Sequence, residues 1–427
     1  MDKDVKTVVI DGMDGSGKTT LIQRLEDKYK GKITFKDRGI LTNLTLSHWD
    51  LWKQPNDLER DWDFYIILEA DIDEVKKRFA SREKQKNLKI DKWETDVNLF
   101  TFRHRFRNLA AFYGNIHLVD TTNYSFELVE KEIEDIIFNK SKKHIVPCVN
   151  SFTEEDFKNL PFIIEGESKI VREYNHRFHI VKYKPTVYSH KMQRAGEVEG
   201  TDKERMTMTK NIIDIFSRHM IKHSYWFIGD TYILNEKLDN ERDIPPIEVI
   251  VKRCFVGSDK HRYYKMETLK NRFGQDLVKK ERNEYQKLIV RFDYRNPNFN
   301  PETGIPIGDI LVCDDLADEF INVEIAKPTA KKIFNCLDEH FSMMNIYFED
   351  VCLMLTVDGD KLYGEVSQDC GRYKYVKENE LSDLDKDVWR AGGSSQLVLH
   401  KYQMLSGIVN DYVKNVLYEY DRINFTG

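Results

Sequence analysis

Gly12-Met13-Asp14-Gly15-Ser16-Gly17-Lys18-Thr19-Thr20 meets the G-x-x-x-x-G-K-[ST] template at every fixed position. An apolar run, Thr7-Val8-Val9-Ile10, leads in, and Leu21, Ile22, Leu25 and Tyr29 recur at helical spacing after the lysine. The stretch reads as strand, loop, helix. Glycines in such a loop let backbone N–H groups converge on an anion, while the helix aims its positive end at the same point. Gly12, Asp14, Gly15, Ser16, Gly17, Lys18, Thr19 and Thr20 are thus expected to seat ATP, with Lys18 on its terminal phosphates and Thr19 as a ligand for Mg²⁺. A glycine-rich turn that binds nothing is the competing reading, and the flanking strand and helix weigh against it.

Working outward, Gly31 breaks the first helix and Ile33-Thr34-Phe35 begins a strand that ends in Asp37-Arg38-Gly39. Ligands of open α/β sheets gather at the carboxyl ends of the strands. There Asp37 can orient a metal-bound water or an acceptor hydroxyl, and Arg38 can clamp an acceptor phosphate. Taken alone, the same two residues are a surface pair at a strand end. Phe64 to Leu68 reads as a further strand ending in Glu69-Ala70-Asp71, and Val75 and Phe79 mark a helix carrying Lys76, Lys77, Arg78 and Arg82. Arg103, Arg105 and Arg107 lie either on a solvated helix face or on a lid over the transferring group. The strand Ile116 to Asp120 and a helix from Ser125 to about Phe138, capped by Ser125, complete an α/β unit with a parallel sheet.

At 427 residues the chain exceeds what one core usually supports, so two domains are expected. A net charge of −6 gives no general pull toward nucleic acid. The six cysteines form no C-x-x-C pair and have no histidines at zinc spacing, which favours reduced thiols in a cytoplasm over disulfides or a structural metal. Met1-Asp2-Lys3-Asp4 runs straight into the first strand, leaving no room for a signal peptide, and no apolar run is long enough for a bilayer. No membrane partner is expected, and the oligomeric state is left open.

The expected division is 1–145, a linker over 146–160, and 161–427. Beyond the linker the pattern changes to hairpins, first Phe162-Ile163-Ile164 with Ile170-Val171. A helix with Ile212, Ile213 and Phe216 on its apolar face and a buried strand over Pro245 to Arg253 follow. Pro328 is expected to open a helix. Asp358-Gly359 is expected to turn a hairpin of Val351 to Val357 with Lys361 to Val366. This is α+β architecture with a mainly antiparallel sheet.

The glycine loop followed by Asp37-Arg38-Gly39 resembles the thymidylate kinase group of P-loop nucleoside monophosphate kinases, over roughly the first third of the chain. The resemblance implies an ATP·Mg²⁺ donor and Lys18, Asp37 and Arg38 as catalytic residues. The chain lacks that group's Arg-Glu-Pro-Gly segment, which helps seat the acceptor nucleotide, so a nucleotide-type acceptor is implied without its identity.

Between 162 and 400 five blocks follow in order: Glu165 to Val171, Pro245 to Arg253 with Gly257-Ser258, the helix from Pro328, Gly364 to Arg372, and Leu384 to Arg390. They resemble SAICAR synthetase, an ATP-grasp-related α+β enzyme that joins a carboxylated aminoimidazole ribonucleotide to aspartate using ATP. The resemblance implies that Glu248, Ser258, Asp369, Arg372 and Arg390 hold the ribonucleotide, with Lys252 replacing an arginine and Lys169 keeping a phosphate-hairpin lysine. The chain departs from the family on its ATP side. Glu167 stands for a lysine, Cys352 and Met354 for a lysine and a glutamate, and Gly364 for an aspartate. A glutamate in place of a phosphate-binding lysine turns attraction into repulsion, so weak ATP binding is expected in this half.

The chain is expected to be a two-domain enzyme of nucleotide metabolism. Its front half would transfer phosphoryl groups to a nucleotide-type acceptor, and its back half would bind a nucleotide and ligate an amino acid or other amine. Two independent activities, or a kinase with a non-catalytic nucleotide-binding module, are the alternatives.

Overall fold

The computed structural model describes residues 5–47, 61–86, 95–189, 194–240, 242–257, 265–279, 281–297, 300, 302–305, 307–378 and 380–419. Its first sheet comprises β1 (Lys6–Gly12), β2 (Ile33–Asp37), β3 (Phe64–Glu69), β4 (Ile116–Asp120) and β5 (Ile145–Val146), in the order β2-β1-β3-β4-β5. The first four strands run parallel and β5 antiparallel to β4. Alternation along the strands divides the core. Val8, Ile10, Ile66 and Leu68 face α1 (Lys18–Tyr29) and α5 (Phe126–Asn139). Val9, Tyr65 and Ile67 face α2 (Ile40–Ser47), α3 (Ile72–Lys86) and α4 (Asp96–Tyr113). A parallel sheet needs both faces covered, and these two helical layers supply that.

The stretch 146–160, expected as a linker, contains a 3-10 turn over Val149–Ser151 and a short helix, α6 (Glu154–Asn159). Thr153 and Asp156 close a capping box on α6, and Val149 and Phe157 are buried.

The remaining strands pair antiparallel. One sheet has the order β11-β12-β8-β7-β6, from β6 (Phe162–Glu165), β7 (Lys169–Glu173), β8 (Phe178–Tyr183), β11 (Tyr225–Ile228) and β12 (Ile233–Glu236). Between them come a two-stranded ribbon, β9 (Thr186–Ser189) with β10 (Arg194–Glu197), and α7 (Thr201–Arg218). A six-stranded sheet has the order β15-β14-β13-β16-β17-β18, from β13 (Ile247–Cys254), β14 (Glu284–Tyr294), β15 (Ile310–Val312), β16 (Ile346–Leu353), β17 (Gly371–Lys377) and β18 (Glu380–Asp383). Helices α8 (Asp314–Asp318), α9 (Val323–Met343), α10 (Asp387–Arg390) and α11 (Ser395–Tyr412) complete the chain order.

One expectation fails here and a second holds only in part. Pro328 does not open its helix; α9 already runs from Val323, because the Asn322 side chain caps it by accepting from Ile325 N at 3.1 Å. The Asp358-Gly359 turn forms, with Gly359 at φ 72, and closes a short antiparallel pairing of Leu355 with Leu362, in which Thr356 N donates to Lys361 O at 2.9 Å and Tyr363 N to Met354 O at 3.0 Å, but the pairing does not extend over the expected Val351 to Val357 and Lys361 to Val366. The turn packs against the start of α9, where a Cβ at Gly359 would lie 2.8 Å from Asn322 O, and β16 instead pairs its edge with β17.

Helix α4 explains how the halves meet. Its Leu99, Phe106 and Leu109 share one core with Phe178, Trp226, Phe227 and Leu234 of the second half. The Arg107 guanidinium lies 4.2 Å from the Trp226 ring centroid, and His104 Nε2 is 3.0 Å from Asp214 Oδ1 on α7. No helix among the described residues is long and apolar enough to cross a membrane.

Candidate functional site

The loop after β1 is shaped by close backbone approach. Gly12 has φ 130, and a Cβ there would lie 2.2 Å from Leu68 O on β3, so only glycine fits. Gly17, at φ 92, takes the N-cap of α1, which has neither a side-chain cap nor an acid in its first turn. Its leading N–H groups and positive end are therefore free to meet an anion. Ser16 Oγ donates to Met13 O at 2.8 Å. Lys18 Nζ donates to Gly12 O at 2.7 Å and Met13 O at 2.6 Å, with Asp14 Oδ1 at 3.8 Å. Burial lowers the Lys18 pKa, against the pull of Asp14 and Asp11.

The other expected front residues gather at the same edge. Thr19 Oγ1 is 3.5 Å from Asp37 Oδ2 at the end of β2, and Arg38, in left-handed backbone at φ 61, donates to Asp14 Oδ1 at 3.0 Å. Thr20 follows on the exposed side of α1. Behind them the fully buried Asp11 accepts from Gly12 N at 2.8 Å, Gly39 N at 3.1 Å and Tyr65 OH at 2.5 Å, tying the turn after Arg38 to β1. The sequence reading passes over Asp11, although a carboxylate directly before the first glycine is a usable signal.

Neither reading of Arg103, Arg105 and Arg107, a solvated helix face or a lid, matches the structure. All three lie on α4, where Arg103 and Arg107 donate to the buried Glu69 at 2.5 and 2.6 Å and Arg105 to Thr45 O at 2.9 Å. Burial works to raise the Glu69 carboxyl, but the two guanidiniums overcome it and hold it at about 2. Besides Arg38, Arg78 of α3 reaches the glycine loop, donating to Gly15 O at 3.2 Å and to Thr121 O at 2.5 Å.

In the second half, one face of the six-stranded sheet carries charge. Val249, Val251 and Phe292 point into the core beneath α9, so Glu248 and Lys252 point the other way. Lys252 pairs across the strands with Asp350, and Asp350 with Arg372. Asp350 Oδ2 accepts from Lys252 Nζ at 2.9 Å and Arg372 Nη1 at 2.6 Å; Arg372 Nε reaches Asp387 Oδ2 at 3.0 Å, and Asp387 Oδ1 accepts from Arg390 at 2.5 Å. Burial favours the protonated Asp350, but Arg372 and Lys252 outweigh it and hold it at about 2. Glu248 accepts from the Cys352 thiol at 3.1 Å, and burial raises its pKa.

Asp369 belongs to a second cluster centred on the fully buried Arg205. Arg205 donates to both Glu365 oxygens at 2.7 Å and lies 3.5 Å from Asp369, which also accepts from Tyr402 OH. Arg205, Asp350, Glu365 and Asp387 escape the sequence reading, since partners up to 160 residues apart leave no local pattern. Lys169 is half-buried, with no hydrogen bond or ion pair from its ammonium among the described residues, and burial lowers its pKa. Ser258 lies outside the described residues. Where the ATP-side acids are missing, a Cβ at Gly364 would sit 2.4 Å from Met354 Cβ and Cγ, so the methionine occupies that space.

A family model for SAICAR synthetase matches residues 162–403. "Bifunctional cordycepin biosynthesis cluster protein 3" of Cordyceps militaris is 24% identical over 547 residues, covering 95% of this chain. The chain spans 60% of that relative's length. Among solved structures, the phosphoribosylaminoimidazole-succinocarboxamide synthase of Ehrlichia chaffeensis is 20% identical at a TM-score of 0.46, covering 58% of this chain and 98% of its own. The SAICAR synthase of Saccharomyces cerevisiae, complexed with SAICAR, is 14% identical at 0.44, covering 61% and 98%. With more than half of its 427 residues inside the family model, the chain belongs to the SAICAR synthetase family.

Proposed function

We propose that the chain is a bifunctional enzyme of nucleotide metabolism. A P-loop phosphotransferase of the thymidylate kinase type, residues 1–145, is joined through 146–160 to a SAICAR synthetase-like unit over 161–427. The front unit uses ATP and Mg²⁺ to phosphorylate a nucleotide-type acceptor. The back unit binds a phosphorylated, carboxylated nucleotide and condenses the activated acceptor with an amine such as an amino acid, whose nitrogen displaces the transferred group as inorganic phosphate and gives up a proton. The name of the Cordyceps militaris relative, a bifunctional protein of a biosynthesis cluster, supports the two-function reading.

The observation that carries the reading is Lys18, whose ammonium is drawn into the mouth of the glycine loop by two loop carbonyls, beside Thr19 and Asp37. Lys18 and the α1 N-terminus bind the phosphates of ATP, and Arg38 orients the acceptor. The hydroxyl of Thr19 and the carboxylate of Asp37, two hard oxygens 3.5 Å apart, suit Mg²⁺ and would hold it. When bound, Mg²⁺ offsets phosphate charge. The back unit has its cationic groups intact on the ribonucleotide side, while Glu167, Met354 and Gly364 stand on its ATP side. Its condensation therefore draws on the phosphoryl group placed by the front unit.

Tracing label from γ-labelled ATP tests this. The wild-type chain should pass label to an acceptor, and Lys18→Ala should lower both transfer and condensation by about 10²–10³, the scale for losing one preorganised charge donor. Unchanged condensation in Lys18→Ala would separate the halves and overturn the coupling.

A further inference from the structure

Away from both charged regions, the far end of α7 meets α9 and α11. His219 caps α7, Cys336 and His340 lie one turn apart on α9, and Tyr412 ends α11. Nitrogen or sulfur atoms of His219, Cys336 and His340 all lie within 4.8 Å of one another. His219 Nε2 is 2.8 Å from His340 Nε2, with the rings edge to face at 84°. His340 Nδ1 is 2.8 Å from Tyr412 OH, and that hydroxyl donates to Met343 Sδ at 3.2 Å. With its proton engaged on sulfur, the Tyr412 oxygen accepts from His340 Nδ1–H. That tautomer leaves the Nε2 lone pair of His340 aimed at the cluster.

We infer that His219, Cys336 and His340 form a binding site for one transition-metal ion, Zn²⁺ by its ligand chemistry, that ties the end of α7 to α9. A His₂Cys set matches the N/S preference of a borderline-soft ion. Tetrahedral Zn²⁺ with Zn–N of about 2.0–2.1 Å and Zn–S of about 2.3 Å needs ligand atoms roughly 3.3–3.6 Å apart, so the two imidazoles part slightly and the sulfur closes in. Water completes the fourth position.

Burial favours the neutral imidazole at both His219 and His340. Burial also favours the protonated Cys336 thiol, so a metal must displace that proton and its binding weakens as pH falls. Tyr412 acts behind the ligands as a positioning residue for His340.

The test uses the full chain, stripped by chelator and titrated with Co²⁺ alone. One equivalent should produce visible bands of tetrahedral intensity and a thiolate-to-cobalt charge-transfer band, and Zn²⁺ should bleach both. Cys336→Ser should abolish the charge-transfer band, and Tyr412→Phe should weaken binding by about 10-fold or more. In the wild-type chain, Zn²⁺ should also slow alkylation of Cys336 in a brief denaturant pulse that exposes this otherwise buried thiol, read by peptide mass spectrometry, which needs no variant to fold. Absence of the charge-transfer band, its survival in Cys336→Ser, or alkylation of Cys336 unaffected by Zn²⁺ would each overturn the proposal.

Discussion

In the first sheet Lys18 finds its partners in two carbonyls of its own loop, whereas in the six-stranded sheet Lys252 and Arg372 share one carboxylate, Asp350, across three strands. A neutral carbonyl releases an ammonium to an incoming phosphate at modest cost. A buried carboxylate already neutralises its cations, and removing Asp350 strips Lys252 of its ion pair and leaves Arg372 with Asp387 alone. The loop thus holds its ammonium on neutral partners, while the sheet face presents alternating charges. A ligand there must match both signs.

The largest expected effect breaks the sheet side. Asp350→Ala leaves Lys252 and Arg372 buried without their shared partner and should cost about 3–5 kcal/mol in a urea unfolding series. Lys18→Ala should stay within about 1 kcal/mol in the same series, since no buried charge is left unpaired. Equal losses for the two would erase the contrast.

Acid sharpens it next. Glu69 is held at about 2 against an ordinary 4.5, so its contribution is fully present above pH 4.5 and is lost as pH falls toward 2. A shift of that size corresponds to about 3 kcal/mol. Glu69→Gln should be less stable at neutral pH and should flatten the fall in urea midpoint below pH 4.5; an unchanged slope would show that Glu69 does not drive the acid sensitivity. The smallest effect concerns the altered ATP side. Gly364→Ala should destabilise by about 1–3 kcal/mol through overpacking against Met354, and a neutral result would show that the space there is open.

The front expectations rest on residues adjacent in sequence, and the structure gathers them. The glycine positions, the lysine six residues on from Gly12 and the Asp-Arg pair ending the next strand converge because a parallel sheet brings consecutive strand ends to one edge. For the arginines of α4, spacing by two suggests a solvated or mobile face, and it misleads. Their partner Glu69 lies 34 to 38 residues away, and the second half of the chain covers the same helix. Cys336 and His340 stand four residues apart on α9, a spacing that the sequence reading passes over, and His219 joins them from 121 residues away.

The sequence by itself determined the glycine loop between β1 and α1, the strand–helix order of the first unit and the five ordered blocks of the second. Those features depend on neighbours along the chain, where glycine conformations and side-chain periodicity act locally. Tertiary structure alone decided which charges neutralise which, that α4 becomes a shared core element, and that Met354 fills the space beside Gly364. Burial sets those outcomes. The energy of a charge or a methylene depends on what surrounds it in space, and no order of residues states that in advance.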